Sequence, residues 1–377
     1  MAKAKDSTTA TRRKFLGGAA VAGVATIAMP QVSRAQTVTL KMQGAWGAQD
    51  ILNDMAKDYV AKVNDMGGGR LKIDYLNAGA VVKPFSVMDG VHSGVLDGAH
   101  SVPAYWYGKH RAASLFGTGP AYGFNGSQCL GWFWYGGGMD LYNELVQKTL
   151  KLDVVGFLAF AMPTQPLGWF KKELKGPDDF KGLKYRTVGL STNMFQKMGA
   201  SVAQLPGPEI LPAMERGVIE AFEFNNPTSD MRFGAQDVAK FYYMGSYHQA
   251  SEAFEIVFNK KKYESLPKEQ QAMLKYAAQA AAADNEWKAW DSYSKDLQEL
   301  IKKGVNVKRT MKSIFEAQLK AWDEVEKELV ADTTNGPFIK KVLDSQKAWA
   351  KRVGYYFFNN DADYKTAWEH HFGALKT

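Results

Sequence analysis

A chain of 377 residues is too long for one ordinary hydrophobic core and fits two domains or lobes. With 46% hydrophobic and 23% charged residues it has the composition of a globular protein, not of a disordered or fibrous one. The formal charge of +8 sits largely at the N-terminus: residues 1–35 hold six basic side chains and one acid, which leaves 41 basic against 38 acidic residues and no basic tract suited to nucleic acid. One cysteine, Cys129, excludes an internal disulfide and any cysteine-built zinc or iron–sulfur site. Its apolar, aromatic neighbours predict a buried, inert thiol.

The first segment reads as an export signal. Thr11-Arg-Arg-Lys-Phe-Leu-Gly17 has the form of a twin-arginine motif, a weakly apolar run follows from Gly18 to Met29, and Ser33-Arg-Ala35 ends in small residues suited to a signal peptidase. The apolar run falls short of the roughly 20 residues that span a bilayer. The expectation is a signal over 1–35, cleaved after Ala35, and a soluble periplasmic protein. Twin-arginine export carries folded proteins, so an exported enzyme stands as an alternative.

Beyond it, Val38-Thr-Leu-Lys-Met-Gln43 alternates like a strand, Ile51 to Met66 has helical spacing that stops at Gly67-Gly-Gly69, and Leu71 to Leu76 alternates again. This β-α-β opening implies a parallel sheet with a right-handed crossover. The pattern continues with a helix over Val87 to Leu96, a short apolar segment over Gly98 to Val102, and strands over Val154 to Phe160 and Leu167 to Phe170. A short helix runs into a strand over Pro177 to Arg186, a helix covers Ile210 to Glu215, and a strand covers Ile219 to Phe224. Such alternation predicts an α/β fold of two lobes joined by strands. From Leu266 to about Lys303 there is almost no breaker. Met273, Leu274, Ala277, Ala281, Trp287, Trp290, Leu297 and Ile301 predict one helix of roughly 54 Å, long enough to brace both lobes or reach a second subunit. Two further helices are expected over Ile314 to Val330 and Phe338 to Val353. The organisation is then lobe 1 over 36–160, lobe 2 over 161–255, and the spanning helix with C-terminal helices over 256–377, with return crossings between the lobes.

No HExxH, GxSxG, Walker or phosphate-binding GxGxxG pattern is present, and the six histidines show no metal spacing. This lowers the enzyme reading. Residues able to hold a ligand cluster at predicted strand ends instead. Arg186 ends a strand, and a guanidinium forks two hydrogen bonds onto a carboxylate. Glu223 lies in the apolar run Ala221-Phe-Glu-Phe-Asn-Asn-Pro227, where a carboxylate needs a cation or a basic partner. With Gln165, Asn225 and Asn226 it forms a donor set suited to a hard cation such as calcium or sodium. The bland alternative is a Glu223–lysine pair and asparagines that cap a turn.

The runs ending at His100 (Gly-Val-Leu-Asp-Gly-Ala-His), Pro103 to His110, Tyr135 to Gly138, Pro163 to Phe170, Lys181 to Arg186 and Glu223 to Pro227 together resemble the solute-binding proteins of tripartite ATP-independent periplasmic (TRAP) transporters, over nearly the whole mature chain. Within that family the chain is most similar to the branch that binds 2-hydroxy and 2-oxo monocarboxylates with a metal ion, especially calcium lactate. The resemblance implies a two-lobed periplasmic-binding-protein-like fold closing on its ligand, and transfer of a small organic acid to TRAP membrane subunits. It implies Arg186 on the ligand carboxylate, with Gln165, Glu223 and the main-chain carbonyl of Phe224 around calcium, or sodium as the alternative cation. It places Asn226 and Asn225 at the ligand, Tyr105, Trp106 and Trp46 as first-lobe walls, and His248 where keto-acid binders carry an aromatic residue. It also implies a homodimer built through the long helix. Another carboxylate, such as a longer hydroxy acid, a dicarboxylate or an aromatic acid, is the alternative ligand.

Overall fold

The computed structural model describes residues 37–119 and 122–375. The twin-arginine segment and the cut after Ala35 lie outside them. The first sheet takes β1 (Val38–Gly44), β2 (Leu71–Leu76), β3 (Gly98–Ser101), β4 (Val154–Met162) and β10 (Glu252–Asn259) in the order β2-β1-β3-β10-β4. Strand β1 pairs in parallel with β2 and β3, and β10 runs antiparallel between β3 and β4. The second sheet takes β5 (Gly168–Phe170), β6 (Lys184–Arg186), β7 (Ser201–Ala203), β8 (Ala221–Phe222), β9 (Phe241–Met244) and β11 (Asn306–Arg309) in the order β11-β9-β5-β8-β6-β7. Here β5 is antiparallel to β8 and β9, and the remaining pairs are parallel.

Helix α1 (Ile51–Gly67) connects β1 to β2 and buries Ile51, Met55, Tyr59 and Val63, the face its spacing predicts. Asp50 caps it by accepting from the Leu52 amide. Helix α2 (Val87–His92) ends four residues before the expected Leu96, because Gly94 takes a left-handed φ of 76° that no helix continues. The expected strand over Ile219 to Phe224 contracts to Ala221–Phe222, since the chain leaves the sheet at Glu223.

The chain passes from the first sheet to the second through residues 163–167 and returns through 245–251. A third crossing follows α6 (Lys268–Lys302; α3, α4 and α5 are Gly126–Tyr135, Ser191–Lys197 and Pro227–Phe233) and enters β11 through 303–305. Helix α6 packs on β4 and α1 of the first half and on α5 of the second. The Tyr59 hydroxyl, for example, donates to its Leu274 carbonyl at 3.2 Å. It therefore touches both halves of the chain. Its buried stripe departs from expectation after Ala281. The i, i+4 face runs on through Asn285, Ala289 and Tyr293, so Trp287 and Trp290, off that face, are 62% and 59% exposed. Helices α7 (Lys312–Ala331), α8 (Gly336–Asn360) and α9 (Tyr364–Phe372) complete the chain, α8 running seven residues past the expected Val353. Among the described residues no helix is long and apolar enough to cross a membrane.

Two local features aim the crossings. Phe160 has a left-handed φ of 54° where Ala159 faces Phe254 and Ala161 faces Ala253. This β-bulge turns the end of β4 toward residues 163–167. Gly168, at φ 118°, opens β5 so close to β8 that a Cβ there would lie 2.1 Å from the Phe222 carbonyl oxygen. Substituting Gly168→Ala is expected to lower stability by about 2–4 kcal/mol, from backbone strain and overpacking together. Thermal or urea unfolding of the variant checks this, and an unchanged midpoint would refute it.

Candidate functional site

Arg186 and Glu223 lie where β6 and β8 run side by side, and both are withdrawn from solvent (1% and 0% exposed). The guanidinium Nη1 donates to the Glu223 carboxylate at 3.0 Å and to the Glu223 carbonyl at 2.7 Å, and Nε donates to the Leu205 carbonyl at 2.9 Å. Nη2 makes no hydrogen bond to any described residue. Burial pushes the Glu223 carboxyl up to about 7, with Arg186 pulling it down. Thr187 and the Val188 amide lie close enough to lower it further, but no described residue gives its Oε2 a well-formed hydrogen bond.

Gln165 sits in the first crossing, and its amide N–H donates to the Gln249 carbonyl of the second crossing at 3.1 Å. Both side-chain atoms of Gln165, and both of Gln249, are buried without a partner. Native interiors rarely leave whole amides unpaired unless something else completes them. Trp46, Tyr105, Arg186, Phe224, Gln249 and Glu252 line a small cavity between the halves of the chain. Asn225 also reaches it and donates to the Glu252 carboxylate at 2.5 Å. Burial, and next the negative charge of Glu223, hold the Glu252 carboxyl well above its usual range. The larger groove beside Tyr122, Tyr247 and Trp322 is lined by none of these residues, though it reaches their chain neighbours Thr164 and Ala250.

His248 reaches Arg186 only through its field. Its Nδ1 lies 2.6 Å from the Ser246 hydroxyl and its Nε2 is buried without a partner. Burial, followed by Arg186, lowers its pKa to about 3, so the ring is neutral. Four expected ligand contacts do not line the cavity: Gln165, His248, Asn226 and Trp106. Asn226 caps α5, accepting from the Ser229 amide at 2.8 Å and donating to Asn225 at 2.6 Å, and it borders a separate cleft beside Trp290. Trp106 turns into the first sheet, where its indole N–H donates to the Glu255 carboxylate. Sequence reasoning passed over Glu252, although a carboxylate inside Ala250-Ser-Glu-Ala-Phe-Glu-Ile-Val257 carries the same signal that marked Glu223.

Contacts across the mouth of the cavity draw the halves together. Ser229 donates to Asp50 at 2.7 Å, Arg232 pairs with Asp54 at 2.8 Å, and Tyr107 donates to Asn193 at 2.7 Å. The cavity thus offers one forked cation, the Glu252 carboxylate and the free side-chain amide of Gln249, with the Glu223 carboxylate paired to that cation and Gln165 one hydrogen bond away from Gln249. The Phe224 carbonyl accepts no hydrogen bond from a described residue. Among the described residues no group of three or more His, Cys, Asp or Glu stands ready for a metal. The oxygen-rich, sulfur-free and imidazole-poor donors fit a hard cation and not zinc. The unpartnered Gln165 amide and Glu223 Oε2 meet that requirement in this structure.

Residues 42–335 match the family described as bacterial extracellular solute-binding protein, family 7, and the chain belongs to it. It is 30% identical to a monocarboxylate 2-oxoacid-binding periplasmic protein of Nostoc, over 91% of this chain and 94% of that one. Among solved structures it is similar to a TRAP periplasmic solute-binding protein of Colwellia psychrerythraea with bound calcium and pyruvate (30% identity, 85% and 96% covered, TM-score 0.79). A counterpart from Pseudoalteromonas atlantica holds sodium and pyruvate (28% identity, 90% and 100% covered, TM-score 0.79). Another, from Bordetella bronchiseptica, is a dimer with calcium and picolinate in one active site (27% identity, 85% and 94% covered, TM-score 0.80).

The carboxylate that holds Trp106 has a measurable signature. Glu255 also accepts from the Tyr142 hydroxyl at 2.5 Å, and burial pushes its pKa up to about 7. A raised carboxyl binds its proton more tightly folded than unfolded, so its contribution is full below the unfolded value and lost as pH rises through about 7. Substituting Glu255→Gln should therefore flatten the fall in stability of the ligand-free protein between about pH 4.5 and pH 7, by up to about 3 kcal/mol. Urea unfolding across that range checks it, and parallel wild-type and variant profiles would count against it.

Proposed function

We propose that this family 7 protein is the periplasmic receptor of a TRAP transporter, and that it captures a small 2-oxo or 2-hydroxy monocarboxylate, pyruvate or lactate, with a cation, calcium before sodium, for delivery to membrane subunits. The observation that carries the reading is a set of buried, unpartnered polar side chains joined to the lining of one cavity: Gln249, which lines it, Gln165, whose amide N–H is bonded to the Gln249 carbonyl, and Glu223, which is paired with Arg186. The relatives that bind pyruvate with calcium or sodium support it. Membership of a solute-binding family stands against the exported-enzyme alternative.

Each residue has a task in this reading. Arg186 is fixed by three hydrogen bonds on Nε and Nη1, so its Nη2 edge is presented to the ligand carboxylate without further ordering. Glu223 Oε2, Gln165 Oε1 and the Phe224 carbonyl hold the cation, which neutralises charge that would otherwise set Glu223 against the acid. Asn225 and the neutral imidazole of His248 supply further polar edges. Trp46 and Tyr105 close the site from the first half and exclude water, and the Ser229–Asp50 and Arg232–Asp54 contacts keep it closed. An aromatic acid is the second reading, supported by the aromatic walls Trp46, Tyr105, Phe224 and Phe254 and by the picolinate of the Bordetella relative.

We extend the proposal to the ends of the chain. Export follows the twin-arginine signal with cleavage after Ala35. The long helix pairs with that of a second copy, which would cover Tyr276, Trp287, Trp290 and Ile301, all exposed in the single chain.

A panel of pyruvate, lactate, longer hydroxy acids, dicarboxylates and picolinate, each with calcium, sodium or chelator, tests the ligand by melting shift and calorimetry. The expected outcome is a shift with pyruvate or lactate that chelator removes unless sodium replaces the calcium, since a ligand at 100 times its Kd adds about 2.7 kcal/mol. Stabilisation by no acid in any cation would sink the receptor reading. Substituting Arg186→Ala should weaken binding by about 2–5 kcal/mol, and an unchanged Kd would remove Arg186 from the site. Protein recovered from the periplasm should begin at Gln36 and sediment as a dimer that the double change Trp287→Ala and Trp290→Ala dissociates. A monomeric wild type would refute the pairing.

A further inference from the structure

The second crossing carries a buried relay whose far end is an unused hydrogen-bond donor. Gln318 of α7 is fully buried and reaches Ser246 and Tyr247. The Tyr247 backbone N–H, which can only donate, lies 2.8 Å from one atom of the Gln318 side-chain amide, so that atom is the oxygen. The amide nitrogen then donates to the Ser246 hydroxyl at 2.8 Å. That hydroxyl also lies 3.1 Å from the amide oxygen, but it cannot take from one amide atom and give to the other when both lie in nearly the same direction. Giving to the oxygen would also orphan the buried nitrogen. Its single hydrogen goes instead to Nδ1 of His248, 2.6 Å away. The ring is neutral, so with Nδ1 accepting, the proton sits on Nε2. This N–H is buried and has no partner among the described residues. The ring does not line the cavity, but Gln249 beside it does, and Arg186 is the charge that acts on it.

We propose that Gln318 is a positioning residue and His248 a specificity-determining one: through Ser246, Gln318 locks the imidazole as an Nε2–H donor, which favours a 2-oxo over a 2-hydroxy acid. The inference rests on the proposed receptor for small monocarboxylates. A carbonyl oxygen beside the carboxylate can only accept, and a locked donor serves it. A hydroxyl there could also donate its hydrogen to the ring, but only if Nε2 bore a lone pair, which the lock forbids. Without the lock the ring takes either tautomer. The hydroxy acid then regains that bond, while the oxo acid loses a preorganised donor.

The tautomer is read from the ring-nitrogen shifts of His248 by NMR in the full mature protein. Calorimetry in calcium gives the Kd values of pyruvate and lactate, with ligand-free melting temperatures recorded alongside. Wild type is expected to carry the proton on Nε2, and that N–H resonance should move when pyruvate saturates the site. Ser246→Ala and Gln318→Met should mix the tautomers and lower the ratio of lactate Kd to pyruvate Kd by about threefold to tenfold, whereas Ser246→Thr, which keeps the hydroxyl, should hold it. A merely structural role would weaken both acids alike. A proton on Nδ1 in wild type, or an Nε2–H resonance that ignores pyruvate, overturns the proposal whether or not the variants fold, and so do folded Ser246→Ala and Gln318→Met proteins that keep the wild-type ratio. A wild type that binds neither acid in any cation removes the receptor reading itself, so the two failures are told apart.

Discussion

The site is organised around a buried pair of opposite charges. Removing Arg186 and Glu223 from water costs several kcal/mol per ion, and their mutual attraction offsets this only with good geometry and further hydrogen bonds. The fold supplies these. Adjacent strands β6 and β8 bring the two side chains into register, and the Glu223 and Leu205 carbonyls take two more guanidinium hydrogens. The pair is left incomplete, since neither Nη2 nor Oε2 makes a well-formed hydrogen bond to a described residue. Such a pair is poorly explained as a stabiliser, since apolar residues would do as well. It is well explained as a preorganised edge that waits for an anion and a cation together.

Much of this could be read from the sequence. Short-range signals located α1, β2 and the ends of α6, because amphipathic spacing and breakers act within a few residues. The need of Glu223 for a partner was legible as well, since a charge in an apolar run demands one whatever the fold, while Arg186 stood out only as a cation at a strand end and Gln165 drew its place chiefly from the family resemblance. What could not be read was direction. Trp106 and Asn226 sit in the expected segments, yet their side chains answer nearer demands: an indole N–H must find the buried Glu255, and α5 must have its first amides capped. The exposed pair Trp287 and Trp290 failed for a related reason. Eight apolar residues along α6 suggested one stripe, but a helix of 35 residues touches different neighbours along its length, and its small buried alanines outrank its large aromatics at the contacts with β4 and α5.

Glu252 and Glu223 show how position decides the meaning of one residue type. Both carboxylates sit at the end of an apolar strand and both lose their hydration. Glu255, three residues from Glu252 on the same strand, does so too, and it finds Trp106 and Tyr142 as donors and remains part of the core. The odd spacing puts Glu252 and Glu255 on opposite faces of β10, so one strand supports the first sheet with one acid and furnishes the cavity with the other.

The two crossings at 163–167 and 245–251 are tied together by the hydrogen bond from the Gln165 amide to the Gln249 carbonyl, and the third crossing at 303–305 leads from the end of α6 into β11. A single break in the chain at any one of these crossings would still leave the two halves joined through the other two.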